Sequence, residues 1–137
     1  FLLDDPTSGL DYLVRDHILN GLVHELAEGG RSVLVSDHGM GELGGLLDRV
    51  CVLKGGRIAE EHSADFIKAE TFRVSARAGS VKTSPRVREL ARAGAVAEFA
   101  VFGRQALDEL RGAGLGDGAE VKPLEMDDAF RAMLGEI

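Results

Sequence analysis

Apolar positions recur along this 137-residue chain in two rhythms, one of helical and one of strand period. Phe1-Leu2-Leu3 is a short apolar run closing on Asp4 and Asp5, which reads as a buried strand over residues 1–4. From Tyr12 to Glu28 the rhythm is helical. Val14, Ile18, Leu22 and Leu26 recur every four residues, and Leu19 and Val23 widen the stripe. Asp11 stands where an N-cap is expected and Gly29-Gly30 where a helix stops. Val33-Leu34-Val35 then predicts a second buried strand of the parallel type. Strand, helix and strand of these lengths form a βαβ crossover, right-handed by rule.

After Ser36-Asp37-His38 a weak helix is expected, with Met40, Leu43, Leu46 and Leu47 on one side. Its glycines, 39, 41, 44 and 45, oppose it by about 1 kcal/mol each relative to Ala. Arg49–Leu53 predicts a strand, Gly55-Gly56 a two-residue hairpin turn, and Arg57–Glu61 an antiparallel return. Ser63 is placed to cap a short helix through Lys68. From about Glu70 the elements shorten. Phe72–Arg77 and Val96–Phe102 predict strands, with a third over Glu120–Pro123. Ser84-Pro85 has the pattern of a helix start, running to Ala93 before Gly94. Gln105–Arg111 predicts a helix with Ala106, Leu107 and Leu110 inward. Met126, Ala129, Phe130, Met133 and Leu134 mark a last amphipathic helix. The division expected is residues 1–69 and 70–137, the latter a small α+β lobe with its helices on one face of the sheet.

Composition narrows the function. The chain carries a net charge of −7 with a pI near 5.1. That balance gives no basic stripe for tracking phosphate backbones, which argues against nucleic acid as a partner. No apolar run approaches the ~20 residues that span a bilayer, and no stretch has the signal-peptide pattern. The single Cys51, within Val50-Cys51-Val52-Leu53, is expected to be a small buried residue. Because the chain opens without Met in a buried-strand pattern, it is expected to be a piece of a longer one.

Chemistry concentrates at the two early strand ends. Adjacent carboxylates at the rim of a core persist when a cation or a hydrogen-bond network accepts them, and Mg²⁺ is the usual hard cation. The full string is Phe1-Leu2-Leu3-Asp4-Asp5-Pro6-Thr7-Ser8-Gly9-Leu10-Asp11. It resembles the Walker B and D-loop segment of ABC transporter ATPases: four apolar residues, Asp-Glu, then Pro-Thr-Ser-Gly-Leu-Asp. One position departs, since the family's catalytic Glu is Asp5 here. At the expected distance downstream stand Val33-Leu34-Val35-Ser36-Asp37-His38, Asp48-Arg49-Val50 and Gly55-Gly56-Arg57-Ile58. These resemble the same family's H-loop segment, in which an apolar strand ends in Ser-x-His.

The resemblance implies an α/β fold: a partial parallel sheet like that of P-loop NTPases, with flanking helices, plus the small α+β lobe. It implies ATP and Mg²⁺ as cofactors. It gives Asp4 the Mg²⁺-holding place, through water, and Asp5 the orienting or deprotonation of the attacking water. His38 would bond the γ-phosphate, while Ser8 and Asp11 would face a second ATPase subunit across the nucleotide. Glu42 and Asp37 are expected to be solvated or capping residues. A membrane permease is the other implied partner, with the chain peripheral at the cytoplasmic face of the membrane. No G-x-x-x-x-G-K-[ST] loop, Leu-Ser-Gly-Gly signature or Q-loop occurs in the chain, so the chain alone is expected not to hydrolyse ATP. Val121-Lys122-Pro123-Leu124-Glu125-Met126-Asp127-Asp128-Ala129-Phe130 is similar to a tail found in export ATPases, which points to an exporter. Two other readings are a soluble ATPase of the same superfamily in translation or DNA repair, and a non-catalytic regulatory module with a degraded site. Arg86, Arg88 and Arg92 are expected on a solvated helix face.

Overall fold

The computed structural model describes residues 1–39, 41–116 and 118–135, without the side chains of Gly41 and Glu42. Met40, placed on the inner side of a helix by the sequence, lies outside them, as does the Glu42 side chain. Among the described residues the fold is mixed α/β with four α-helices, in the class the sequence predicts. Its elements group into two compact units, residues 1–46 and 47–137.

In the first unit β1 (Leu2–Asp4) and β2 (Leu34–Ser36) pair in parallel, with Leu2 opposite Leu34, Leu3 opposite Val35 and Asp4 opposite Ser36. The connection carries α1 (Tyr12–Ala27). A side-chain oxygen of Asp11 accepts from the Val14 N–H at 3.0 Å, satisfying one of the donors a helix start leaves unpaired. Gly29 and Gly30 take positive φ just beyond its end, which L side chains resist. Only Leu19 of its apolar stripe is fully buried; Val14 and Val23 are exposed. The glycine-rich stretch after His38 forms a 3₁₀ helix over Gly41–Gly45 instead of the α-helix expected. Four glycines in seven residues leave no propensity to propagate α-helical bonds, and one short turn is what remains.

The second unit opens with the hairpin β3 (Arg49–Lys54) and β4 (Arg57–Ser63). Both turn residues, Gly55 and Gly56, have positive φ, as a type I′ turn requires. Ser63 Oγ accepts from Phe66 N–H and caps α2 (Ala64–Glu70). A four-stranded antiparallel sheet follows in the order β6 (Val87–Ala93), β7 (Val96–Phe102), β5 (Thr71–Arg77), β8 (Glu120–Pro123). Compactness therefore gathers the β3–β4 hairpin and α2 with this sheet, whereas composition changes near residue 70.

The helices α3 (Arg104–Gly112) and α4 (Met126–Leu134) cover opposite faces of the sheet, not one face. Val74, Ala76, Val87, Phe99 and Val101 form a core with Ala106 and Leu107 of α3. The intervening residues point the other way: Arg73 pairs with Glu98 at 2.9 Å and with Asp128 of α4. Residues 99–102 of β7 are accordingly buried on both sides.

Three expectations are corrected here. Residues 84–93 form no helix. Ser84 and Val87 bond each other reciprocally in a tight turn, and Val87–Ala93 pairs with β7. Gly94, read as a helix stop, is a hairpin residue at φ 60° between the paired Ala93 and Val96. Pairing of six residues with β7 outweighs the modest helix propensity of Arg, Glu, Leu and Ala. Cys51 is exposed, because β3 alternates and its inward positions are Val50 and Val52. Arg88 does not lie on a solvated helix face. It bonds Glu60 of β4 at 2.7 Å and the carbonyls of Pro85 and Ala132, and its guanidinium lies 5.0 Å from the Phe102 ring centre.

Candidate functional site

The parallel register of β1 and β2 brings their carboxyl ends level. In open α/β sheets that rim is where ligands bind, since the strands deliver side chains there with no strand beyond to cover them. Asp4 ends β1 and Ser36 ends β2, and the Ser36 hydroxyl donates to Asp4 Oδ1. One residue further, the Asp5 N–H donates to the Ser36 carbonyl at 2.8 Å, so Asp5 is fixed against the end of β2. Its backbone takes φ 43°, the left-handed region that non-glycine residues adopt at a cost. This turns the chain sharply into Pro6 and Thr7. Thr7 is buried, Ser8 N–H bonds the Asp5 carbonyl at 3.1 Å, and Ser8 itself is exposed.

His38 follows β2 and its exposed imidazole lies beside Asp5, with Nδ1 3.3 Å from Asp5 Oδ1 and 3.6 Å from Asp37 Oδ1. The first is ion-pair distance without hydrogen-bond alignment: Asp5 Oδ1 is buried and makes no hydrogen bond. Asp37 Oδ1 accepts the Gly39 N–H at 3.0 Å, an Asx turn that holds the carboxylate toward the same rim. Thus Asp5 and His38, both singled out by sequence, come together. Asp4 is engaged with Ser36, and Asp11 caps α1. Asp37, read from sequence as solvated or capping, is a third member of the cluster as well as a cap of its own turn. Strand register alone could have revealed it, because it lies 32 residues from Asp5.

The donors suit a hard divalent cation. Asp4 and Asp5 offer carboxylate oxygens, and a buried carboxylate oxygen without a hydrogen-bond donor is stabilised by positive charge. An open concavity of about 380 Å³ lined by Thr83, Ser84, Val87, Arg88 and Ala132 holds none of these residues, so the site is the strand rim and not that cavity.

No protein-family model matches the chain. It is 48% identical over 61 residues, 44% of its length, to an arabinose import ATP-binding protein of Azospirillum brasilense. It is 38% identical over 84 residues, 61% of its length, to a ribose import ATP-binding protein of Rhizobium etli. A daunorubicin resistance ATP-binding protein of Streptomyces coeruleorubidus is 41% identical over 69 residues, half of the chain. The matched stretches span only 12%, 16% and 22% of those relatives. These homologues are ABC transporter ATP-binding proteins. No helix among the described residues is long and apolar enough to cross a membrane.

Proposed function

We propose that this chain carries the Walker B, D-loop and switch-histidine part of the ATP-binding subunit of a bacterial ABC transporter. The observation that carries the reading is the parallel β1–β2 register, which sets Asp4 beside Ser36 and Asp5 beside His38 at one strand rim. Likeness to ATP-binding proteins over the matched residues supports it.

Phosphoryl transfer asks little covalent work of the protein; it asks for positioning and charge neutralisation. Mg²⁺, when bound, supplies neutralisation at the β- and γ-phosphate oxygens. Asp4 would hold it through water, with the Ser36 hydroxyl fixing the carboxylate. Asp5 would orient the attacking water and take its proton, and His38 would bond the γ-phosphate. Ser8, exposed in the turn, and Asp11 would face a second ATPase subunit. A membrane permease would bring the assembly to the cytoplasmic face of the membrane. Without a phosphate loop the chain alone would bind ATP weakly and not turn it over. The relatives are named for arabinose import, ribose import and daunorubicin resistance, and the import names do not favour the exporter reading of residues 121–130.

Asp5 favours a second reading, a non-catalytic module. Its carboxylate is one methylene shorter than the family's Glu, and a shift of about 1 Å can lower a rate ~10²-fold. Steady-state ATP hydrolysis by the complete polypeptide with its permease separates the two. Under the catalytic reading Asp5→Asn abolishes turnover and Asp5→Glu raises it, by up to ~10²-fold. Turnover unchanged in both variants assigns the module reading.

A further inference from the structure

The cluster at the rim contains a donor that an Mg²⁺ site does not use. Asp5 Oδ1, Asp37 Oδ1 and His38 Nδ1 all lie within 4.8 Å of one another. A tetrahedral ion with bonds of about 2.0–2.1 Å holds its ligands about 3.3 Å apart. Two of the three separations, 3.3 and 3.6 Å, are already close to that. Asp5 Oδ1 is buried with no hydrogen bond, whereas Asp4 Oδ1 accepts one from Ser36. The His38 side chain is 79% exposed and can turn without displacing packed atoms. Asp37 is only 17% exposed and is held by its Asx turn. Two carboxylates and an imidazole match a borderline cation such as Zn²⁺ or Co²⁺; Mg²⁺ prefers oxygen alone.

We propose that Asp5, Asp37 and His38 form a binding site for a transition-metal dication of the Zn²⁺ type. Three protein donors leave one tetrahedral position open to water, the arrangement of an open site rather than a closed structural one. Occupancy would engage Asp5 and His38 together, and so shut the rim to other chemistry. The site rests on the cluster's geometry and not on the ATPase reading.

The test is calorimetric titration of the 137-residue chain with Zn²⁺, paired with visible spectroscopy of Co²⁺. One Zn²⁺ per chain is expected, with the intense d–d bands of four-coordinate Co²⁺ and no displacement by millimolar Mg²⁺. Asp37→Asn and His38→Ala each remove a direct ligand. Each should weaken binding by more than the ~10–100-fold typical of losing an outer partner. Cys51→Ala and His24→Ala should leave it unchanged. Circular dichroism of each variant checks that folding is kept: His38 contributes little burial, and Asp37→Asn keeps the side chain's size and an acceptor for the Gly39 N–H. Absence of sub-millimolar Zn²⁺ binding, or binding unaltered by Asp37→Asn or His38→Ala, overturns the proposal. So does binding lost in Cys51→Ala or His24→Ala. ATP hydrolysis does not enter the readout, so failure here leaves the proposed function standing.

Discussion

The two compact units differ in how far each buries its own apolar residues. In residues 47–137, Ile67, Val74, Phe99, Val101 and Leu107 are each at most 1% exposed. In residues 1–46, Leu19 and Leu43 are the buried aliphatics among the described residues, while Leu2 is 78%, Leu13 77% and Leu34 66% exposed. The chemistry-bearing residues sit on the unit with the smaller core. A two-stranded parallel sheet buries little apolar surface, and such strands ordinarily have both faces covered. The lesson is that a site can be specified locally, by register and turns, where the surrounding core is thin. The larger unit offers the reverse: a well-filled core that carries none of the residues clustered at the strand rim.

The sharpest way to break this contrast is a pair of deletions in urea-melt experiments. Phe99→Ala should destabilise residues 47–137 by about 3–5 kcal/mol, the range for emptying a buried aromatic site. Leu34→Ala should change stability by no more than about 0.5 kcal/mol, because its side chain is already in water. Equal losses would mean that the two units share one core. A smaller effect is expected at Arg88. Arg88→Ala should cost about 1–3 kcal/mol, since it leaves Glu60 and two carbonyls without their charged donor. Arg88→Lys should recover only part, because an ammonium cannot reproduce the planar fork. Smallest is Asp11→Ala, expected to lower stability by about 1 kcal/mol through loss of the α1 cap. Amide exchange at Val14 should quicken, while that of Val101 stays as it was. Quickened exchange in both units together would again erase the distinction.

Much of this was legible in the chain itself. Asp11 and Ser63 cap the helices they were expected to cap, and Gly55-Gly56 makes the expected turn, because these devices act within three or four residues. Strand β6 was not legible. Its sequence, Val-Arg-Glu-Leu-Ala-Arg-Ala, carries helix formers, and only the partner strand β7 decides its state. Cys51 was misplaced for a related reason: a run of four apolar residues does not say which of them faces inward. At the site, Asp5 and His38 stood out by residue type and spacing. Asp37 did not, since its place beside Asp5 comes from pairing across 32 residues and not from any local pattern.

The edges of the four-stranded sheet have a bearing on solubility. A sheet edge is an open row of hydrogen-bonding groups that can recruit another chain. Here β8 spans four residues and ends in Pro123, which has no N–H to offer. The other edge, β6, is kinked by a register shift between Glu89 and Ala91 and carries Arg88, Glu89 and Arg92. Arg92 donates two 2.8 Å hydrogen bonds to Glu89 and holds that carboxyl below its ordinary range. Interrupted at one margin and charged at the other, the sheet offers a second chain no long, regular row of free groups to pair with.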